Sequence, residues 1–145
     1  MNEAPMNEFM TFLGGRVVEL TDEHSVAELE VTDHVRQQTG AVHASVMIAI
    51  ADLAASSLAG SASGASGPLA IDIHASLVAN QTSGTVRAEA RFIRHGRRVS
   101  VVRTLVTGDE GRVLAQVTVT LVPAVAPDRQ LGRSGDRDDQ QQDSQ

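Results

Sequence analysis

Between Gln37 and Ile71 the chain carries a single formally charged residue, Asp52. It falls inside Ala-Ser-Val-Met-Ile-Ala-Ile-Ala-Asp-Leu-Ala-Ala-Ser-Ser-Leu-Ala, residues 44–59, a run that is otherwise apolar or small. An ionised carboxylate in such surroundings is costly unless it is paired, and Ala or Leu would continue the local pattern without that cost. Two readings follow. In one, Asp52 pairs with an arginine or caps a neighbouring backbone group. In the other it is a desolvated carboxylate of raised pKa, suited to general-base or nucleophilic work. Ser45 and Ser56 lie seven residues before and four after it, so the three share one helix face. Such a polar strip can line a cleft and hold a water. The plainer account of the serines is that small side chains allow close packing against a sheet.

The residues leading into this run are Gln37-Gln38-Thr39-Gly40-Ala41-Val42-His43-Ala44. A glycine-containing loop that enters a helix presents unpaired N–H groups and the positive end of the helix dipole, a natural place for a developing oxyanion. His43 has the chemistry of a base, and equally that of a residue that orients a loop through backbone hydrogen bonds. His24, His34, His74 and His95 show no metal-ligand spacing, so no metal and no cofactor is assigned.

Residues 44–59 are rich in helix formers, and Gly60 is expected to end the helix. With no polar face it should be buried on every side. A membrane span would need roughly 20 strongly apolar residues, whereas this run is shorter, rich in Ala and Ser and interrupted by a carboxylate. Phe9, Phe12 and Leu13 stand at helical spacing before Gly14-Gly15, which predicts a short helix over residues 8–13. Strands are expected at 16–20 and 25–32, the second alternating Ala27, Leu29 and Val31 with Val26, Glu28, Glu30 and Thr32. Further strands are expected at 69–78, 85–94, 97–107 and 113–122, joined by turns at Asn80-Gln81-Thr82-Ser83-Gly84, His95-Gly96 and Gly108-Asp109-Glu110-Gly111. Taken in succession these four make an antiparallel meander. The expected class is α+β, a central helix wrapped by an antiparallel sheet.

A chain of 145 residues supports one domain with a real core. With three Phe, no Trp and no Tyr, that core must be built from Val, Ala, Leu and Ile. Residues 124–145, polar and ending Asp138-Asp139-Gln140-Gln141-Gln142-Asp143-Ser144-Gln145, bury too little apolar area to offset chain entropy. They are expected to form a disordered tail after a folded body at 1–123. The chain has no cysteine, so neither disulfides nor thiolate metal sites arise, which suits a reducing compartment. The acidic start, Met1-Asn2-Glu3, is unlike a signal peptide, and a cytoplasmic location is expected. A net charge of −6 and the scarcity of rings argue against nucleic acid as the main partner. All twelve basic residues are arginine, which excludes Schiff-base chemistry on lysine.

Gly40-Ala41-Val42-His43-Ala44-Ser45, with Asp52 nine residues after the histidine, resembles the pattern Gly-x-x-His-Gly-Gly followed by a helical Asp or Glu. That pattern belongs to the hotdog-fold acyl-CoA thioesterases of the phenylacetate-pathway and 4-hydroxybenzoyl-CoA type. Ile71-Asp72-Ile73-His74, Gly84-Thr85-Val86-Arg87-Ala88, Arg94-His95-Gly96-Arg97-Arg98 and Gly111-Arg112-Val113-Leu114-Ala115 resemble the same family, so the likeness runs over about residues 8–122. It implies a hotdog fold, homodimers paired through sheet edges and often homotetramers, with active sites at the dimer interface. By position, Asp52 matches the catalytic carboxylate, and Ala44 the glycine whose backbone N–H polarises the thioester carbonyl. Gln37 matches the residue that orients substrate or water, and Ser56 a residue that holds the water. Asp52 would then face Gln37 and Ala44 of the other subunit. Coenzyme A phosphates call for charge-assisted partners, for which Arg94, Arg97 and Arg98 are the candidates; as residues of a hairpin end, each is equally a solvated cation. Two departures stand out: Ala44-Ser45 replaces Gly-Gly, and Val78-Ala79 replaces a frequent Arg-Pro. The expected activity is hydrolysis of acyl-CoA thioesters. The alternatives are a non-catalytic hotdog module that binds acyl-CoA or serves as an assembly partner, and a hotdog hydratase, for which no Asp-x-x-x-x-His element is present.

Overall fold

The computed structural model describes residues 7–64 and 67–124, so the expected tail lies, past Ala124, outside the described residues. Asn7 starts α1 (Glu8–Leu13): its Oδ1 accepts the Met10 N–H at 3.2 Å, and Gly14, at φ 81°, turns the chain out of the helix. The strands β1 (Arg16–Leu20) and β2 (His24–Glu30) form a hairpin, and α2 (Ala44–Ser63) follows. Then come β3 (Leu69–Leu77), β4 (Thr85–His95), β5 (Ser100–Thr107) and β6 (Val113–Val122). All pairings are antiparallel and the six strands lie in the order β1-β2-β4-β5-β6-β3. One long helix against one curved sheet is the α+β class that the residues implied and the hotdog fold that the family resemblance implied.

Four details differ from the sequence reading. The four-strand meander is a three-strand one: β3 pairs with β6, and β4 takes β2 and β5 as neighbours. Alternation within a strand names the face it buries but not the edge it joins, and sequence neighbours pair only as a tendency. Secondly, α2 continues through Gly60 to Ser63 and stops at Gly64, which adopts the left-handed φ of 61°. Gly60 answers to packing, since a Cβ there would come within 3.2 Å of Pro68. Thirdly, β5 begins at Ser100, because Arg97 to Val99 are used in turning, where the Gly96 N–H donates to the Val99 carbonyl at 3.0 Å.

Finally, α2 is not buried on every side. Val46, Met47, Ile50, Ala51, Ala54, Ala55, Leu58 and Ala59 are buried, while Ile48, Ala49, Asp52, Leu53, Ser56 and Ser57 form a half-buried stripe on the other face. At 20 residues α2 is long and apolar enough to cross a membrane by length and composition alone. It lies instead against β2, β4, β5 and β6 as the core helix of the domain.

The core is aliphatic and shallow. Ala27 pairs with Ala88 and Ala88 with Val106; in the next inward row Ser25 pairs with Ala90 and Ala90 with Thr104. Small residues on the sheet facing Ala51, Ala54 and Ala55 let the helix approach closely, which compensates for the scarcity of rings. The hydroxyls of Ser25 and Thr104 are buried there without a hydrogen-bond partner among the described residues. A buried, unpaired hydroxyl costs about 1–3 kcal/mol. Replacing Thr104 by Val keeps the shape and removes that cost, so Thr104→Val is expected to raise the stability by about 1 kcal/mol in urea unfolding.

Candidate active site

The segment before α2 is a small folded unit. Arg36 and Val42 form an isolated antiparallel bridge. Inside it the Gln37 N–H donates to the Ala41 carbonyl at 2.8 Å and the Gly40 N–H to the Gln37 carbonyl at 2.9 Å, a tight turn for which Gly40 takes φ 86°. His43 is the N-cap residue of α2, yet its side chain makes no capping bond; its N–H donates to the Val35 carbonyl at 2.9 Å. The His43 carbonyl accepts from Val46 at 3.0 Å and Met47 at 3.3 Å. The N–H groups of Ala44 and Ser45 find no acceptor among the described residues. Two donors at the positive end of a 20-residue helix are therefore open to a ligand oxygen.

Asp52 lies two turns further on, in the half-buried stripe. Ser56 Oγ donates to its Oδ1 at 3.2 Å, and no cation pairs with it among the described residues. Burial pushes the Asp52 carboxyl above the ordinary carboxylate range, and the Ser56 hydrogen bond opposes part of that rise. A carboxylate left without a cation in a low-dielectric setting binds a proton more tightly, the property asked of a base.

Eight residues at 1.5 Å per residue put Asp52 about 12 Å along the helix axis from Ala44. Within one subunit a carboxylate and a backbone donor so far apart do not act on the same carbonyl group. Ser45, expected in one strip with Asp52 and Ser56, is exposed at the first turn, and the Asp52 hydrogen bond goes to Ser56. Gln37 is also exposed, in the turn before α2.

Arg94 is the penultimate residue of β4, opposite Val101, and Arg97 and Arg98 follow in the turn. None of the three has an acidic partner among the described residues. Arg97 and Arg98 border a recess of about 20 Å³ with Ala59, Pro68, Ser100 and Leu121, towards the C-terminal end of α2. The structure thus brings Ser56 to Asp52, puts His43 directly before Ala44 at the helix entrance with Gln37 in the turn that precedes it, and sets Arg97 and Arg98 near the far end of the helix.

A residue that sequence reasoning passed over stands out here. Asn80, treated as part of a turn, bonds both backbone groups of Val42. The only signal available beforehand was chemical: consecutive amides, Asn80-Gln81, carry more donors and acceptors than a turn needs.

The profile of the thioesterase superfamily matches residues 39–115, more than half of the chain. No curated protein sequence matches it. Among solved structures, Rv1847/MT1895 from Mycobacterium tuberculosis is similar at 29% identity and a TM-score of 0.77, over 82% of this chain and 98% of that one. The thioesterase HI1161 from Haemophilus influenzae is similar in fold at 23% identity and a TM-score of 0.76, covering 80% and 82%. The phenylacetic acid degradation protein PaaI from Thermus thermophilus is similar in fold at 24% identity and a TM-score of 0.74, covering 81% and 100%. With the family profile spanning α2, Asp52 and the strands β3, β4 and β5, the chain belongs to the thioesterase superfamily.

Proposed function

We propose that this protein hydrolyses acyl-CoA thioesters to a free acid and coenzyme A, as a homodimer or homotetramer whose sites combine two subunits. The observation that carries the reading is the pairing of incomplete halves in one chain. Asp52 is a half-buried carboxylate of raised pKa that no cation pairs with among the described residues, and the open Ala44 N–H lies about 12 Å away along the helix. Apposing two α2 helices through their half-buried stripes would set Asp52 of one subunit against Ala44 and Gln37 of the other.

The free edge of β3 supports such an assembly. Leu69, Ile71 and Val78 are 57%, 63% and 66% exposed on or just beyond that strand, and a long apolar edge is a template for pairing with another chain.

In this scheme the Ala44 N–H donates to the thioester carbonyl oxygen and holds the negative charge that forms there. Asp52 acts in one of two ways. As a base it takes a proton from water while the hydroxide oxygen bonds to the carbonyl carbon. As a nucleophile its own oxygen attacks, and water then cleaves the anhydride. In both, the C–S bond breaks, coenzyme A leaves as a thiol after protonation, and the acyl group becomes a carboxylic acid. Ser56 holds Asp52 or the water, Gln37 orients water or substrate, and His43 shapes the loop. Arg94, Arg97 and Arg98 take the phosphates, which the long pantetheine arm keeps remote from the thioester. The altered Ala44-Ser45 pair motivates a second reading, binding of acyl-CoA without turnover.

Thiol release from short, medium and aromatic acyl-CoAs tests the proposal. Release that depends on Asp52 upholds it, tight binding without release favours the non-catalytic module, and hydration of an enoyl-CoA would assign a hydratase instead. The pH profile adds a signature. Asp52 must be ionised to act, so kcat/KM is expected to rise with pH on a limb lying above 3.8, the ordinary Asp value. Ser56→Ala removes the hydrogen bond that lowers this pKa, and should move the limb to higher pH. Stability runs the other way: the fold favours the protonated carboxyl, so its contribution falls as pH rises from the unfolded value through the raised folded one.

A further inference from the structure

We infer that Asn80 is a positioning residue for thioester hydrolysis, acting through the backbone that aims the Ala44 N–H; this rests on the function proposed above. The Val42 N–H donates to Asn80 Oδ1 at 3.0 Å and shares that hydrogen with the Gln81 carbonyl at 3.2 Å, and Asn80 Nδ2 donates to the Val42 carbonyl at 2.9 Å. One amide thereby holds both polar groups of a fully buried residue, as a neighbouring strand would. Val42 stands two residues before Ala44, and the intervening His43 is itself held by the Val35 carbonyl at 2.9 Å. The N-cap His43 makes no side-chain capping bond, so among the described residues the direction of the first free N–H depends on these anchors.

The clamp has a rigid base. Asn80 Oδ1 also accepts the Gln81 N–H at 2.8 Å. Gln81 Nε2 donates to the Thr85 carbonyl at 2.9 Å, and its Oε1 accepts the Asp109 N–H at 3.0 Å. The Asp109 carboxylate in turn accepts the Thr85 N–H at 3.2 Å. A Cβ at Gly84 or Gly108 would run into Asp109 or Gln81, so the two turns are built around this network. An oxyanion donor is effective because it is held in place before charge develops, and a displacement of about 1 Å can cost on the order of 10²-fold in rate. The loss should fall on kcat, since the carbonyl becomes a strong acceptor only in the transition state.

The test compares wild type with Asn80→Ala and Asn80→Asp. Asn80→Asp keeps the two accepted N–H bonds, sets an oxygen against the Val42 carbonyl, and serves if Asn80→Ala does not fold. Both variants should lower kcat for thioester hydrolysis roughly ten- to hundred-fold with KM within about twofold, and amide exchange at Val42 should quicken by a similar factor. In an Ala44→Pro background, which lacks the N–H being aimed, neither should lower kcat further; a merely structural role would lower it in both backgrounds. Undiminished kcat in a wild-type-active protein, an additive loss beside Ala44→Pro, or unchanged Val42 exchange overturns the positioning role alone. A wild type that releases no thiol, with Val42 exchange still quickened by the variants, overturns the thioesterase reading first and this role with it.

Discussion

Asp52→Asn is expected to leave a folded protein whose thiol release from acyl-CoA falls by roughly 10²–10⁴-fold, the usual contribution of a positioned base or more. The substitution is nearly isosteric, and its Oδ1 can still accept from Ser56 Oγ, which donates at 3.2 Å in the parent. It also removes a charge whose burial the fold resists, the reason the carboxyl is pushed upward. Tm at neutral pH should therefore hold or rise while activity collapses. Loss of activity through misfolding predicts the opposite pairing, a lower Tm with lower activity, so the two readouts together separate the accounts. Retained turnover in a stable Asp52→Asn protein would remove Asp52 from the chemistry. The carboxylate would then be an uncompensated structural burden.

Ala44→Pro is expected to cost about 10²–10³-fold in kcat, the usual loss on removing one oxyanion donor. Ala44 is the first residue of α2, the position at which proline is best tolerated because its missing N–H bonds nothing within the helix. The preceding His43, at ψ 136°, already has the extended conformation that proline demands of its neighbour. Backbone and fold should survive while the donor disappears. The subunit arrangement then becomes readable by mixing. Each inactive variant keeps the half that the other lacks, so in a two-fold dimer of Asp52→Asn with Ala44→Pro one of the two sites is whole. Random exchange between equal amounts should restore about a quarter of wild-type activity. A site contained in one subunit would give none. Thiol release measured after unfolding, mixing and refolding decides between them.

Much of this protein was readable from residue types and spacing. Glu8–Leu13, Arg16–Leu20 and Val113–Val122 fall on the expected bounds because turn residues and a period of two or 3.6 are local properties. Asp52 was conspicuous because it breaks an apolar pattern, and the loop into α2 because it contains a glycine and enters the N-terminus of a helix. What remained hidden was non-local. The position of β3 beyond β6 depends on which sheet edge is free, and no strand encodes that within itself. Gly60 looked like a helix stop, yet it marks close approach to Pro68, a contact made only once the chain has turned back. Asn80 looked like a turn residue because its partner, Val42, is 38 positions away. The sequence by itself determined the class of fold, the odd carboxylate and the helix entrance, since periodicity and charge placement act over a few residues. Only the tertiary structure decided which face of α2 stays open, that no cation among the described residues pairs with Asp52, and that an amide from a distant turn holds the helix entrance. Those are properties of what packs against what.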